Sequence, residues 1–200
     1  MLKRDDIARY LTSEVVFAGN RWPGFSDTVE HRDGLVLVDT GMIDSTPELD
    51  REWQPTPHPL PDEVVQRVAH VIITHMHFDH HGGNRLFPGV PIHVQRAELE
   101  DARAQDDYTV RDWIDFPGAN YVEHDGEAEI LPGIRLLPTP GHSAGHQSVV
   151  VEGVAVLGGD VAYSFRELGE ADTEGKRRVL DLGMTTWLAH VERPTVPRRS

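Results

Sequence analysis

Short runs rich in Val, Ile and Leu recur along this chain and end at Gly, Pro or charged residues, which is typical of buried β-strands. These runs predict strands at 15–17, 34–38, 71–74, 91–95, 133–137, 148–151 and 154–158. Gly153 separates the last two runs and predicts a tight hairpin between them. Two sheets that pack face to face and are flanked by helices would bury runs of this kind.

Two other stretches have helical spacing. The first begins with proline and two acidic residues at 61–63, and its apolar Val64, Val65 and Val68 share one face. The second covers about 96–105, where alanines and a leucine alternate with charges. Alternate prolines at 54–61 favour an extended loop before the first helix. Because neither a repeat nor a linker interrupts this order, we expect a single domain over residues 1–200.

Histidine and aspartate are concentrated directly after one predicted strand. The segment 74–83 reads THMHFDHHGG and follows the apolar run 71–73. Imidazole nitrogen and carboxylate oxygen are ligands that zinc, iron and manganese accept. A strand end followed by two glycines lets several side chains converge on one point. The pattern His-x-His-x-Asp-His from His75 to His80 therefore predicts a metal site; the alternative is a solvated loop, since the chain has 12 histidines.

Three later segments end on residues of the same type. The run at 136–140 leads to His142, which has a glycine before it; the run at 154–159 ends at Asp160, and the segment 187–189 ends at His190. A histidine-rich surface loop gives no reason for distant strands to end in this way. We therefore expect these residues to complete the site that His75 begins.

The order of these residues resembles that of the metallo-β-lactamase superfamily, over about 29–190. The strand that ends in Asp-Thr-Gly at 39–41 fits the same resemblance. Within the superfamily the chain is most similar to the N-acyl homoserine lactonase branch, through DTGM at 39–42, HMHFDH at 75–80, TPGHSAGHQS at 139–148, and Asp160 with Tyr163 three positions later. The resemblance implies an α/β (α+β) fold, a four-layer αββα sandwich of the metallo-β-lactamase type.

The resemblance also implies two divalent metal ions per chain, with zinc as the first expectation and iron, cobalt or manganese as alternatives. It assigns the ligands of the two ions as follows: His75, His77 and His142 for the first, Asp79, His80 and His190 for the second, and Asp160 as the bridge. Asp79 and His80 are expected at a helix N-terminus. Val191 follows His190 where the lactonase branch commonly has Asp, and the stretch 166–186 is short and irregular, so that His190 is assigned from its order in the chain.

The activity implied by the resemblance is hydrolysis of a lactone ring, with N-acyl homoserine lactones as the substrate class and quorum quenching as the result. A hydroxide that bridges the two metals would attack the ring carbonyl. Tyr163 would polarise that carbonyl or protonate the leaving oxygen; alternatively, it is an aromatic residue that packs at the rim. Asp79 would deliver a proton to the departing alkoxide as a general acid.

Three further functions stay open. A thioester hydrolase of the glyoxalase II type shares the ligand set but adds a C-terminal helical segment, and ten residues follow His190 here. A persulfide dioxygenase uses a single iron in the same fold. Outside enzymes, the chain would be a non-catalytic metal-binding domain.

Several residues near the motifs are expected to support the site. Asp39 either orients a ligand histidine or bonds its own turn. His146 is expected to support or pack, and His81 is not expected to bind metal. A further group matches no ligand position and is expected at the surface or in the core: His31, His58, His70, His93 and His124. Four residues either line an apolar substrate pocket or pack in the core and rim: Trp22, Phe25, Met42 and Phe78.

Composition narrows the class of partner. The chain has no cysteine, so disulfides, thiolate ligands and a cysteine nucleophile are excluded. The net charge of −14 disfavours nucleic acid, and no apolar stretch approaches the 18 residues of a membrane helix. We expect a cytoplasmic protein that acts on a small lactone or ester, with a homodimer as an alternative to the monomer because the lactonase branch often dimerises.

Overall fold

Two β-sheets form the centre of the computed structural model, which describes residues 1–199. The first sheet has the strand order β4-β1-β2-β3-β5-β6-β7, and its strands are β1 (Ile7–Phe17), β2 (Asn20–His31), β3 (Gly34–Val38), β4 (Thr56–Pro57), β5 (Val68–Ile72), β6 (Pro91–Gln95) and β7 (Asn120–His124). The second sheet has the order β12-β11-β10-β9-β8, with β8 (Ala128–Leu131), β9 (Ile134–Pro138), β10 (Gln147–Val151), β11 (Ala155–Gly159) and β12 (Thr186–Leu188).

Strand direction differs between the two parts of each sheet. β1, β2 and β3 are antiparallel, whereas β3, β5, β6 and β7 run parallel to one another. In the second sheet β8 to β11 are antiparallel, and β12 lies parallel to β11. Parallel strands carry their carboxyl ends to one edge, so the loops that follow β3, β5, β11 and β12 can meet there.

In the described part of the chain, six helices accompany the two sheets. They are α1 (Pro47–Glu52), α2 (Asp62–Val65), α3 (Phe78–His81), α4 (Arg96–Ala104), α5 (Phe165–Gly169) and α6 (Glu174–Leu182). Short 3-10 turns occur at Arg4–Asp6, Asn84–Leu86 and Arg111–Trp113. Within residues 1–199, none of these helices has the length and apolar character that a membrane crossing requires.

Three apolar clusters separate the four layers. Val36 and Ile72 of the first sheet pack against Val149 and Leu157 of the second, which forms the central layer of the core. The outer face of the first sheet packs on α2 and α4, and the outer face of the second sheet packs on α5 and α6. Full burial of one Val, Leu or Ile side chain stabilises the fold by about 1.5–3 kcal/mol. The αββα sandwich expected from the sequence is therefore confirmed.

Most of the predicted elements are present, with shifted ends. The run at 15–17 is the end of the much longer β1, and α4 covers nearly all of the helix predicted at 96–105. Gly153 forms the predicted hairpin with a φ of 70°, a left-handed conformation that glycine adopts without strain. Val68 was wrongly placed on the first helix, because α2 ends at Val65 and Val68 begins β5.

Some elements were missed because their residues lack a strong apolar pattern. β2 contains Asn20, Pro23, Gly24 and several polar residues, yet it pairs with β1 along nearly its whole length. The stretch 166–186 is not irregular, since it holds α6 and most of α5. Thr173 caps α6 by accepting a hydrogen bond from the Lys176 N–H. The proline-dense stretch 54–61 is extended, as predicted, and includes the two-residue β4.

Three of the histidines that match no ligand position form a ladder across adjacent strands. His93 on β6 lies between His70 on β5 and His124 on β7. The His70 Nδ1 to His93 Nε2 distance is 3.3 Å, and the His93 Nδ1 to His124 Nε2 distance is 3.0 Å. A neutral His93 satisfies both contacts by donating through one nitrogen and accepting through the other. Burial, followed by the charges of His124 and His70, lowers the pKa of His93 to about 4.

We expect the metal-free protein to lose stability as the pH falls from 6.5 toward 4 through His93. The unfolded state binds a proton near pH 6.5, whereas the folded His93 does so only near 4. The loss for one proton is at most about 1.4 kcal/mol per pH unit. Urea unfolding across this range should show a smaller loss for His93→Gln than for the wild type. Parallel curves for the two proteins would contradict this prediction.

Candidate metal centre and active site

The predicted ligands converge at one edge of the sandwich. His75 and His77 lie in the loop after β5, and His77 directly precedes α3, which carries Asp79 and His80 in its single turn. The loop after β9 contributes His142, and the ends of β11 and β12 are followed by Asp160 and His190. The strand ends thus bring together residues that are separated by more than 100 positions in the sequence.

Three histidine nitrogens form a compact triangle. The His75 Nε2 to His77 Nδ1 distance is 3.0 Å, and His142 Nε2 lies 3.1 Å and 3.0 Å from these two atoms. Tetrahedral zinc with Zn–N bonds of about 2.0–2.1 Å separates its ligand atoms by roughly 3.4 Å, close to this spacing. Burial lowers the pKa of all three histidines, most strongly for His75, so their nitrogens are neutral and available as ligands.

A second group of donors lies beside the first. The His80 Nε2 to Asp79 Oδ2 distance is 3.8 Å, and these two residues form a possible ion-binding group with His190. Asp160 lies between the groups: its Oδ1 is 3.4 Å from His80 Nε2, and its Oδ2 is 3.1 Å from His190 Nε2 and 3.7 Å from His142 Nε2. A carboxylate in this position can contact ions in both groups.

Two buried polar atoms at the second group fit a bound cation. In the part of the chain that the structure describes, His80 Nε2 and Asp160 Oδ1 have no hydrogen-bond partner. An unsatisfied buried nitrogen or carboxylate oxygen costs about 1–3 kcal/mol or more. The two atoms lie 3.4 Å apart, and a cation bound beside them would satisfy both. The donor set, five imidazoles and two carboxylates, suits zinc and also iron, cobalt or manganese.

Electrostatics at the second group favour positive charge. Burial alone would raise the pKa of Asp160, but His190 and His80 hold it well below its usual range. Burial opposes a charge on His190 as well, yet Asp160 raises its pKa to about 8. Burial likewise opposes protonation of His80, but Asp160, Asp79 and Asp39 together raise its pKa well above the usual value. A metal ion that binds here therefore competes with protons on His80 and His190.

The nitrogens that face away from the site have fixed partners. His80 Nδ1–H donates to Asp39 Oδ2 at 2.8 Å, and His190 Nδ1–H donates to the Pro23 carbonyl at 2.7 Å. Thr74 Oγ1 lies 3.2 Å from His75 Nδ1 and itself donates to Asp39 at 2.8 Å. Such partners set the tautomer and ring orientation of a ligand histidine. Of the two roles considered for Asp39, the structure supports the orientation of ligands.

His146 and His81 lie next to ligands but face elsewhere. His146 Nε2 accepts the Asp160 backbone N–H at 3.1 Å, and its Nδ1 lies 3.1 Å from the Thr139 carbonyl, so it supports the loop of Asp160. His81 Nε2 bonds to Thr109 Oγ1 at 2.6 Å and belongs to none of the possible ion-binding groups of residues 1–199.

Tyr163 lies at the edge of the site. Its hydroxyl is 3.2 Å from His142 Nδ1, and its side chain is 40% exposed. If His142 Nε2 binds metal, its Nδ1–H donates to the phenol oxygen and leaves the phenol proton free for a substrate oxygen. Burial, followed by the charges of Asp160 and Asp79, raises the pKa of Tyr163, so the phenol stays protonated at neutral pH.

A cavity of about 630 Å³ opens above the two groups. Its wall is mainly apolar or aromatic and includes Val15, Phe17, Trp22, Leu49, Trp53, Phe78, Tyr108 and Val110. Trp22 and Phe78 thus line the pocket, whereas Met42 is fully buried in the core and Phe25 packs against Arg9. Several carboxylates also border the cavity: Glu48, Glu52, Asp106, Asp107 and Asp112. The described lining contains neither lysine nor arginine.

The sequence analysis missed Glu98, which joins three parts of the site. This carboxylate is fully buried on α4 and accepts hydrogen bonds from the Met76 N–H at 2.7 Å, the Tyr108 hydroxyl at 2.5 Å and Ser143 Oγ at 2.6 Å. Met76 lies between two predicted ligands, Ser143 follows His142, and Tyr108 forms part of the cavity wall. A charged residue within a charged helix gives no sign of burial in the sequence.

Comparisons with known proteins agree with this geometry. A family model described as the metallo-beta-lactamase superfamily matches residues 21–168. An N-acyl homoserine lactonase of Bacillus cereus is 36% identical over 158 residues, which covers 68% of this chain and 62% of the lactonase. A probable metallo-hydrolase of Mycobacterium tuberculosis is 34% identical over 159 residues, with 62% of this chain and 51% of the hydrolase covered.

A solved structure of N-acyl homoserine lactone hydrolase, with the product N-hexanoyl-L-homoserine bound at its catalytic metal centre, is also similar. Its TM-score is 0.75 at 26% identity, with 94% of this chain and 93% of that chain covered. By sequence, in contrast, this chain spans about 62% of the length of the curated lactonase relatives that it matches.

We expect Glu98→Ala to lower the free energy of unfolding by roughly 3 kcal/mol, because three donors lose a buried acceptor. Urea unfolding of the metal-free protein measures this change. Glu100→Ala, on the exposed face of the same helix, is the matched control and should change stability by less than about 0.5 kcal/mol. Equal effects of the two substitutions would show that the Glu98 hydrogen bonds do not stabilise the site.

Proposed function

This chain belongs to the metallo-beta-lactamase superfamily, and we propose that it is a metal-dependent hydrolase that opens a lactone ring, with N-acyl homoserine lactones as the substrate class. One observation carries the proposal: two groups of metal-type donors meet at Asp160 beneath an apolar cavity, with the Tyr163 hydroxyl beside them. The similarity to N-acyl homoserine lactonases and to a product-bound lactone hydrolase supports it.

The cavity favours a neutral substrate with a polar head and an apolar tail. Aromatic and aliphatic side chains can pack on an acyl chain, while the lactone and amide would lie near the donor groups. Carboxylates at the cavity, with no lysine or arginine in the described lining, disfavour anionic substrates. Glutathione thioesters carry net negative charge, so a thioester hydrolase of the glyoxalase II type fits this cavity less well.

The number of donor groups and the size of the cavity weigh against a dioxygenase and against a non-catalytic domain. A mononuclear iron dioxygenase needs a single group, whereas Asp79, His80 and His190 form a second one here. A non-catalytic metal-binding domain has no need of a cavity of about 630 Å³ above its ions. Both functions therefore have less support than a hydrolase with two ions.

The residues of the site have separate tasks in ring opening. Bound metal ions of this type lower the pKa of water to about 7 and polarise a carbonyl oxygen. The Tyr163 phenol donates a hydrogen bond to the carbonyl oxygen, which gains negative charge as the nucleophile adds to the carbonyl carbon and loses it again as the ring opens. Asp79, whose side chain is 11% exposed, can accept a proton and deliver it to the departing alkoxide. Trp22 and Phe78 limit the access of bulk water to these groups.

Several finer features belong to the same proposal. We infer zinc as the resident metal, and the same donors also accept iron, cobalt and manganese. The single domain, the cytoplasmic location and a role in quorum quenching are also predictions, with a homodimer as the alternative to a monomer.

Metal content provides a direct measurement. We expect two ions per chain by plasma mass spectrometry on untagged protein purified without chelator, because two donor groups are present. His190→Ala should leave one ion, since it removes a donor from the second group only. A single iron per wild-type chain would favour the mononuclear dioxygenase.

Lactone hydrolysis tests the activity itself. We expect the metal-loaded protein to open N-hexanoyl homoserine lactone in a pH-stat assay and to hydrolyse S-lactoylglutathione far more slowly. Tyr163→Phe should lower kcat about 100-fold with little change in KM, because the lost hydrogen bond acts mainly in the transition state. Tyr121→Phe is the matched control, since its hydroxyl bonds to the Ile114 carbonyl away from the site. Preference for the thioester, or no lactone opening with two ions bound, would overturn the proposal.

A further inference from the structure

His190 lies in a tight turn whose two ends contact the same side chain. The turn spans 188–191 and is closed by a hydrogen bond of 3.2 Å from the Val191 N–H to the Leu188 carbonyl. Arg9 on β1 donates to both ends of it: one guanidinium nitrogen lies 3.0 Å from the Leu188 carbonyl and 2.6 Å from the Val191 carbonyl. Arg9 therefore fixes the position of the turn without touching His190.

The rest of the guanidinium is held by β2. Its other two nitrogens each lie 2.7 Å from an oxygen of Asp27, in a two-pronged ion pair. The ring of Phe25 lies 5.1 Å away and that of Trp187 lies 4.7 Å away. The side chains of Arg9 and Asp27 are only 9% and 6% exposed. Lysine has neither the planar fork nor enough directed donors for this set of contacts.

β2 also contacts the turn through its backbone. The Phe25 N–H donates to the Ala189 carbonyl at 2.9 Å, and the Pro23 carbonyl accepts from His190 Nδ1–H at 2.7 Å. The turn is therefore anchored to β1 and β2, which lie far from it in the sequence. In the lactonase branch an aspartate commonly follows this histidine, whereas Val191 follows it here. The contacts with β1 and β2 hold His190 beside Asp160 without that aspartate.

We propose that Arg9 and Asp27 are a positioning pair for His190 and so determine the affinity of the second metal ion. The proposal rests on the two-ion site proposed above. A buried ion pair stabilises a fold little in comparison with well-packed apolar residues, so stability alone does not account for this pair. Neither residue contacts His75, His77 or His142 within the described structure, so the first ion should be insensitive to the pair.

The test measures the affinity of each ion separately. Metal-free wild type, Arg9→Lys and Arg9→Met are titrated with Zn²⁺ against a chromophoric chelator, and His142→Ala and His190→Ala assign the two binding steps. We expect both Arg9 variants to weaken the step that His190→Ala abolishes by about 10–100-fold and the first-ion step by less than about twofold. Arg135→Met, which breaks ion pairs with Glu127 and Glu152 on the second sheet, should leave both steps unchanged.

Circular dichroism of the metal-free variants verifies folding, and Arg9→Lys decides the outcome if Arg9→Met does not fold. Unchanged affinities, equal weakening of both ions, or a wild type that binds only one ion would overturn the inference. Lactone assays are not used, so a protein that binds two ions and opens no lactone refutes the proposed function and leaves this inference intact.

Discussion

Nitrogen and oxygen atoms from seven side chains meet in one small, mostly buried space around Asp160, and the rest of the site depends on compensating their charge. Histidine nitrogens 3.0–3.1 Å apart and an unpartnered oxygen of Asp160 would be unfavourable without positive charge between them. In the metal-free protein the raised pKa values of His80 and His190 favour protons beside Asp160, which compensate its carboxylate. Metal ions would supply it more completely, so metal binding and stability should be linked.

Holding these donors in place requires a second set of buried polar contacts. Asp39 joins the ligand loop to the end of β3, Glu98 joins that loop to the loop of His142, and His146 supports the backbone at Asp160. Gly145 lies so close to α4 that an added Cβ would be 2.3 Å from the Glu98 nitrogen, so only glycine fits there. The four-layer core provides the rigid strand ends on which these contacts rest.

The net charge of the chain and the residues that line the cavity disfavour the same class of ligand, the anions. A net charge of −14 and the carboxylates around the opening disfavour anions, while the aromatic wall favours apolar groups. The cavity therefore suits a neutral molecule, with the two donor groups and the Tyr163 hydroxyl as polar features at its base. In the proposed hydrolase, selectivity would depend on the loops and on α1, and the chemistry on the residues that follow the strand ends.

Local patterns in the chain were enough to predict which histidines and aspartates converge and most of the strands, because apolar runs that end in His or Asp can be read directly from neighbouring residues. They did not reveal β2, α5 or α6, whose residues fold as they do through pairing, capping and packing. The folded arrangement was needed to show that His81 faces away, that Glu98 is buried and that Arg9 holds the turn of His190. The physical reason is that these features depend on contacts between residues 10 to 182 positions apart, and neither composition nor spacing reports such contacts.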